Sequence, residues 1–247
     1  MKKEIPSGGW GEVARTVIYA VVIALGVRTF VAEPFNIPSG SMIPTLLVGD
    51  YLFVSKWSYG YSKYTVAMGL PLFDGRFLGG RPQRGDVAVF KLPRDNHTDY
   101  IKRIVGLPGD RIQVIDGVLN INGEPVKLQR IEDFVSTDGA GEVTRTPQFL
   151  ETLPGGKQHR ILQASDHGPL DNTAVYVVPE HHYFGMGDNR DNSMDSRVPS
   201  AVGYIPEENL VGRAMFLFFS IDEGAHFWEF WKWPWAVRLG RIFNSVQ

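Results

Sequence analysis

Ser41 lies in the run Pro38-Ser39-Gly40-Ser41-Met42-Ile43-Pro44-Thr45-Leu46, between a glycine and a methionine and bracketed by two prolines. Each proline fixes its own φ and pushes the residue before it toward extended backbone, which restrains Ile37 and Ile43. Gly40 lets another backbone approach the chain beside Ser41. The expectation is a stiff, extended, non-helical support that holds a hydroxyl in one place, as a nucleophile requires. The same nine residues also read as a polar loop between an apolar segment and a domain.

A serine hydroxyl attacks only when a base takes its proton, and three constellations could supply the chemistry. In Tyr100-Ile101-Lys102-Arg103-Ile104-Val105, strand alternation puts Tyr100, Lys102 and Ile104 on one face and Ile101, Arg103 and Val105 on the other. A Lys102 partly buried among Tyr and Ile would have its ammonium disfavoured, leaving an amine able to deprotonate Ser41. The alternative is one snorkelling and one exposed cation. The second constellation is Ser41 with His97 and Asp99, which Arg94-Asp95-Asn96-His97-Thr98, a turn-like segment, places poorly. The third is a metal site of His181-His182 with Asp188, Asp191 and Asp195. Consecutive histidines on a strand point to opposite faces, and the run Asp188 to Ser193 lacks the glycine of a calcium loop. A polar turn with Asp195 paired to Arg197 reads better there.

These residues need elements to position them. The chain has 247 residues, 43% apolar and 21% charged, with net charge −2 and no cysteine. That is enough for a large core. It leaves no disulfide framework or thiolate chemistry, and without a basic run no nucleic-acid partner is indicated. Thr16 to Val27 is uncharged, and with Arg28 and Thr29-Phe30-Val31-Ala32 it makes seventeen residues, the short end of a bilayer span. Arg28 would snorkel to headgroups. Phe30 at −3 argues against cleavage after Ala32. Lys2, Lys3 and Arg15 precede the span, which puts the N-terminus in the cytoplasm and the bulk of the chain outside.

Short β-branched and aromatic runs follow at Tyr51–Val54, Asp86–Phe90, Tyr100–Val105, Arg111–Ile115, Val118–Ile121, Ala174–Val178, Tyr183–Met186 and Arg213–Phe219. Asp116-Gly117 between two of them is a hairpin signal, because a type I′ turn needs positive φ at both central residues. Trp57 to Arg84 has no clear period and reads as a long loop or irregular hairpin near the membrane. The expected fold class is mainly β, a single transmembrane helix followed by a domain of short, largely antiparallel strands with an inserted subdomain. The divisions are an N-terminus and anchor (1–33), a β-rich core (34–121 and 173–221), a polar insertion with few strand runs (122–172) and a Trp-rich tail (222–247). The tail either packs on the β domain or forms an aromatic belt at the membrane surface, with Lys232, Arg238 and Arg241 toward headgroups.

Taken together, three blocks resemble bacterial type I signal peptidases, the Ser/Lys-dyad enzymes of peptidase family S26, and occur in that family's order. They are Pro38–Leu46, Tyr100-Ile101-Lys102-Arg103 with Gly106-Leu107-Pro108-Gly109-Asp110, and Gly187-Asp188-Asn189-Arg190-Asp191-Asn192-Ser193-Met194-Asp195-Ser196-Arg197. The resemblance implies a serine endopeptidase of the bacterial plasma membrane, its catalytic domain on the outer side. It would cut signal peptides of exported preproteins after small residues, at sites of Ala-x-Ala type, through an acyl-enzyme and without cofactor. It also implies Ser41 as nucleophile, Lys102 as general base, and Ser193 as the residue orienting the amine. Ser39 with the Ser41 N–H would form the oxyanion hole, and Asp195 with Arg197 a supporting ion pair. Phe35, Ile37, Met42, Leu46, Asp99, Tyr100 and Ile101 would line the substrate pockets. The Trp-rich tail and the Trp57–Arg84 loop lie outside what these blocks cover. A membrane-tethered, non-catalytic peptide-binding β domain is the rival reading.

Overall fold

The short apolar runs assemble into a seven-stranded sheet whose neighbours are all antiparallel. In spatial order its strands are Ala32–Asn36, Asp50–Ser55, Leu210–Ser220, Val87–Lys91, Asp99–Gly106, His182–Met186 and Ile205–Pro206. These positions come from a computed structural model that describes residues 10–65, 75–137, 141–165, 167–222, 224–225 and 228–246. Leu210–Ser220 bridges two strands by shifting register between Ala214 and Phe216 and between Leu217 and Phe219. Such bulges bend a strand and raise its twist. One face of this sheet buries Ile37, Met42, Leu46, Leu52, Val54, Val87, Val89, Val211 and Leu217 in a single core. Each fully buried aliphatic side chain of this kind contributes about 1.5–3 kcal/mol.

A four-stranded sheet runs Tyr176–Val177, Arg111–Ile115, Val118–Ile121 and Glu124–Pro125. Its hairpin turns at Asp116 (φ 47°) and Gly117 (φ 76°), the conformation a type I′ turn demands. The polar stretch beyond it is richer in strands than its composition suggests. Lys127–Arg130, Gln148–Thr152 and Gln158–Leu162 form a sheet, and Phe134–Thr137 pairs with Val143–Thr146. Lys127–Arg130, Phe134–Thr137 and Val143–Thr146 are largely solvent-facing and lack the apolar alternation by which buried strands are read, whereas Gln148–Thr152 and Gln158–Leu162 bury the polar Gln148, Glu151 and His159 beside Ile161 and Leu162. Of the Trp57–Arg84 segment, Tyr61–Ser62 pairs with Arg76–Phe77, and residues 66–74 lie outside the described residues. The Arg76 guanidinium donates to the carbonyls of Tyr59, Gly60, Glu207 and Leu210 and pins this hairpin to the sheet.

The N-terminal helix begins earlier than the apolar run does, spanning Trp10–Phe30. Its 21 residues at about 1.5 Å each extend about 32 Å, enough to cross a bilayer core of about 30 Å. Apart from Thr29 and the half-buried Gly26, its residues are exposed on every side. Lys2 and Lys3 lie outside the described residues. Arg28 is not left to solvent alone, because Glu33 accepts from its Nε at 2.9 Å and its Nη2 at 2.7 Å. Glu33 also binds the buried Lys56 at 2.9 Å. The tail packs in part on the β domain, and Arg238 and Arg241, expected toward headgroups, instead turn to Asp50 at 3.8 and 2.5 Å. Trp233 stacks 5.1 Å from Phe219, with Ala236 buried nearby, while Trp228, Trp231 and Trp235 stay exposed. Phe227 lies outside the described residues.

Candidate active site

Ser41 stands in a single 3-10 turn, Gly40–Met42, rather than in fully extended chain. The extended backbone predicted from the prolines flanks that turn, at Ser39 (φ −134°, ψ 151°) and Ile43 (φ −61°, ψ 135°). The turn closes by Ile43 N–H donating to Gly40 O at 3.2 Å. It is anchored from below by Met42, which is fully buried in the core. A second clamp comes from sequence far away: Asn189 donates from its backbone N to Ser41 O (3.1 Å) and from Nδ2 to Gly40 O (3.0 Å).

Lys102 reaches this turn from the strand Asp99–Gly106, its Nζ lying 2.8 Å from Ser41 Oγ and 2.9 Å from Ile101 O. Both members of the pair are buried, Lys102 at 3% and Ser41 at 9% exposure. As the alternation predicts, Nζ is on the same face as the Tyr100 ring, 5.4 Å from its centroid. Burial pushes the amine down from its ordinary 10.5 to about 8, with Arg197 helping and the carboxylates of Asp195 and Asp188 opposing. Among the described residues no carboxylate is bonded to Nζ, and that keeps the neutral form within reach of ordinary pH.

Arg103 departs from the alternative of one snorkelling and one exposed cation. It is fully buried on the opposite face. Asp188 accepts its Nε at 2.8 Å and its Nη2 at 2.7 Å, and Gly85 O accepts its Nη1 at 2.8 Å. Asp188 also takes the Thr45 hydroxyl at 2.5 Å, so one carboxylate ties the strand of Lys102 to the loop of Ser41. Burial raises the Asp188 carboxyl, but Arg103 outweighs it and holds the group below its usual range. Behind this pair lies a second charged layer. Glu151 binds Arg190 at 2.6 Å and lies 3.2 Å from His159, which sits 3.9 Å from Asp188. Asp195 and Arg197 form a two-contact ion pair at 2.9 Å, and Asp195 also accepts from Gly187 N at 2.9 Å.

No hydrogen bond joins Ser193 to the amine. The Lys102 hydrogen bonds go to Ser41 and Ile101, while the buried Ser193 Oγ lacks a partner of ordinary geometry. It packs against Gly187, where an added Cβ would come within 2.2 Å of Ser193 Oγ and 2.6 Å of Ser41 O. Only glycine fits between them. Ser39 is exposed, and its hydroxyl does not cap the turn. Of the residues assigned to the substrate pockets, Ile37, Met42 and Leu46 are buried in the core. Phe35, Tyr100 and Ile101 keep exposed surface, and Asp99 is exposed and paired with Lys91 at 2.9 Å. The other constellations come apart. His97 sits in an exposed turn capped by Asp95, and His181 pairs with Glu207 at 3.0 Å. Asp191 accepts the backbone N–H groups of Ala164 and Ser165.

The Asn189 clamp, the Asp188 bolt and the Glu151–His159–Arg190 layer were given no role from sequence. Asn189 and Asp188 sat in plain view within the 187–197 block, but their partners are 85 to 149 residues away in the chain.

A buried serine hydroxyl lies 2.8 Å from a desolvated amine, on a scaffold of antiparallel strands behind an apolar helix, an arrangement chemically able to pair a nucleophile with a base. The chain matches the family described as Signal peptidase, peptidase S26, over residues 10–219. It is 40% identical over 254 residues to a signal peptidase I of Rickettsia conorii, covering 96% of this chain and 92% of that one. It is 40% identical over 245 residues to that of Rickettsia typhi, with 92% and 90% covered. A crystal structure of a signal peptidase I from Enterococcus faecalis is similar at 26% identity and a TM-score of 0.32, covering 54% of this chain and 97% of that chain. The chain belongs to the signal peptidase family, peptidase S26, and is a peptidase.

Proposed function

We propose that this protein is a membrane-anchored serine endopeptidase that removes signal peptides from exported preproteins with Ser41 as nucleophile and Lys102 as base. The observation that carries the reading is the 2.8 Å approach of Lys102 Nζ to Ser41 Oγ, with burial holding the amine at about 8. In the neutral form Nζ accepts the Ser41 proton as Oγ attacks the scissile carbonyl. The resulting ammonium returns that proton to the departing amine, leaving an acyl-enzyme on Ser41. A water, deprotonated by the same amine, then hydrolyses the ester and restores the hydroxyl. The Ser41 N–H, near the start of a turn where backbone donors have no acceptor within the helix, faces the developing oxyanion together with the Ser39 hydroxyl. Ser193, whose buried hydroxyl lies beside Asp195 without a hydrogen bond of ordinary geometry, is the candidate to take up the amine once Ser41 is acylated. Asp195 and Arg197 brace that loop.

The substrate adds as a strand. Val89, Phe90 and Lys91 occupy one side of Asp99–Ile101, and His182–Met186 pairs with the other side only from Arg103 onward. An extended peptide would find main-chain groups at that edge, with its alternate side chains turned toward Phe35, Tyr100 and Ile101. Shallow apolar walls backed by Ile37, Met42 and Leu46 favour small residues such as Ala at −3 and −1. The helix Trp10–Phe30 crosses a bacterial plasma membrane with its N-terminus in the cytoplasm, Arg15 lying before the apolar run. The catalytic sheet then lies on the outer face, and the exposed tryptophans of the tail meet lipid headgroups.

The test uses detergent-solubilised protein and a preprotein with Ala at −3 and −1. Wild type is expected to cut after the −1 Ala. Ser41→Ala and Lys102→Ala should each lose at least about a thousandfold in rate with unchanged melting. Undiminished cutting by Lys102→Ala would end the dyad reading.

A further inference from the structure

Asn189 occupies the cap position of the turn Arg190–Asn192, where an asparagine side chain ordinarily accepts from its own turn's N–H groups. Here it makes no such bond (φ −88°, ψ 81°). Its amide is spent on the other loop, where Nδ2 donates to Gly40 O at 3.0 Å while its backbone N donates to Ser41 O at 3.1 Å. Gly40 O belongs to the same peptide unit as the Ser41 N–H. A trans peptide is planar, with its carbonyl and its N–H pointing in opposite directions. Whatever fixes the Gly40 carbonyl therefore fixes the line along which the Ser41 N–H is aimed. Gly40 O accepts two donors, Asn189 Nδ2 and Ile43 N at 3.2 Å, and donation to a carbonyl polarises the N–H of the same amide.

We infer that Asn189 is a positioning residue that aims and strengthens the Ser41 N–H as an oxyanion donor, acting through the Gly40–Ser41 peptide. The inference rests on Ser41 being the nucleophile, as proposed above. Neighbouring contacts fit this role. Asn189 follows Asp188, which the buried Arg103 holds rigidly by two bonds, and Gly187 on the other side leaves room for the Ser41 carbonyl. The amide is therefore presented from a fixed post. The Lys102 amine makes no bond to Asn189, so the clamp serves the oxyanion without setting the base.

The test measures Asn189→Ala and the isosteric Asn189→Asp beside wild type and Ser41→Ala. Loss of a direct oxyanion donor costs about 100- to 1000-fold in kcat. Loss of its aim should cost about tenfold or more in kcat for Asn189→Ala, and more again for Asn189→Asp, whose carboxylate faces a carbonyl. KM should stay within about twofold and the pH midpoint should not move, since binding and base are untouched. A substrate-derived peptide aldehyde, which forms a tetrahedral adduct, should lose affinity in step with kcat/KM, as a transition-state mimic does. Wild-type kcat in both variants, or a loss expressed in KM or as a displaced pH midpoint, overturns the inference. An active Ser41→Ala would instead overturn the nucleophile assignment, whatever the Asn189 variants do. Melting curves identify a variant that has merely failed to fold, in which case the other variant decides.

Discussion

Lys102 and Arg103 are adjacent cations on one strand, both buried, and the molecule treats them in opposite ways. Arg103 is met by a bidentate carboxylate at 2.7 and 2.8 Å and by a carbonyl. Lys102 is met by a hydroxyl and a carbonyl, neither of them charged. A buried cation with an anion bonded to it stays charged and holds structure. One without such an anion gives up its proton more readily. The choice of residue follows from this: a guanidinium does not deprotonate in a protein and suits the clamp, whereas an ammonium can and suits the base.

The sharpest way to break the comparison is to exchange the two treatments. Lys102→Arg places a permanent charge where a neutral base is needed. It should lose at least about a thousandfold in cleavage rate at every pH, with no recovery on alkaline titration. Wild type should show a rate that climbs with pH through about 8 and then levels, because the reactive form is the deprotonated amine and its pKa is about 8. A flat wild-type profile from pH 6 to 10 would sink the amine base. On the other face, Asp188→Asn strips Arg103 of its carboxylate and strands a buried charge. That should destabilise the fold by about 3–5 kcal/mol, visible as a large fall in the denaturation midpoint. Activity below the new melting range should suffer as well, because Asp188 also holds the Thr45 hydroxyl of the Ser41 loop at 2.5 Å.

Half of this contrast was legible in the chain. Alternation along Tyr100–Val105 assigns Lys102 and Arg103 to opposite faces, and the Tyr–Ile neighbourhood marks Lys102 for burial. The Asp116-Gly117 turn and the main strands follow from local pattern in the same way. Burial of Arg103 was not legible, because its partner Asp188 lies 85 residues downstream and no local rule reaches so far. The strands of the polar insertion escaped for a different reason. Lys127–Arg130 and Val143–Thr146 are almost wholly exposed, so their pairing rests on main-chain hydrogen bonds and leaves no apolar period to read. The 3-10 turn at Gly40–Met42 was missed because prolines restrain their neighbours but do not say what three residues between them will do.

A subtler probe changes the field at Lys102 without touching its bonds. Asp195 raises the amine's pKa and Arg197 lowers it, the aspartate acting more strongly. Removing Asp195 alone would leave Arg197 buried and unpaired, so the pair is removed together as Asp195→Asn with Arg197→Met, which strands no charge. The net loss of a raising influence should move the pH–rate midpoint below that of wild type, with the alkaline plateau less affected than the midpoint. An upward shift would mean that desolvation is relieved when this loop is altered. The Asp195–Arg197 pair would then act by excluding water rather than through its charges.

The smallest effect is expected at the open end of the same strand, where Lys91 and Asp99 pair at 2.9 Å with Asp99 exposed. The contact distance matches that of the buried pairs, but both partners keep contact with water, which screens their attraction and already solvates each alone. Lys91→Ala should therefore change stability by no more than about 1 kcal/mol, and that difference should shrink further in high salt. Because Asp99 lies three residues from Lys102 and on the other face of the strand, the pH midpoint of cleavage should hold. Urea titrations of the two proteins at low and high salt check the first point, and a pH–rate profile the second. A loss of several kcal/mol would show that distance, rather than burial, governs how much an ion pair matters on this strand, and the contrast drawn between Lys102 and Arg103 would lose its footing.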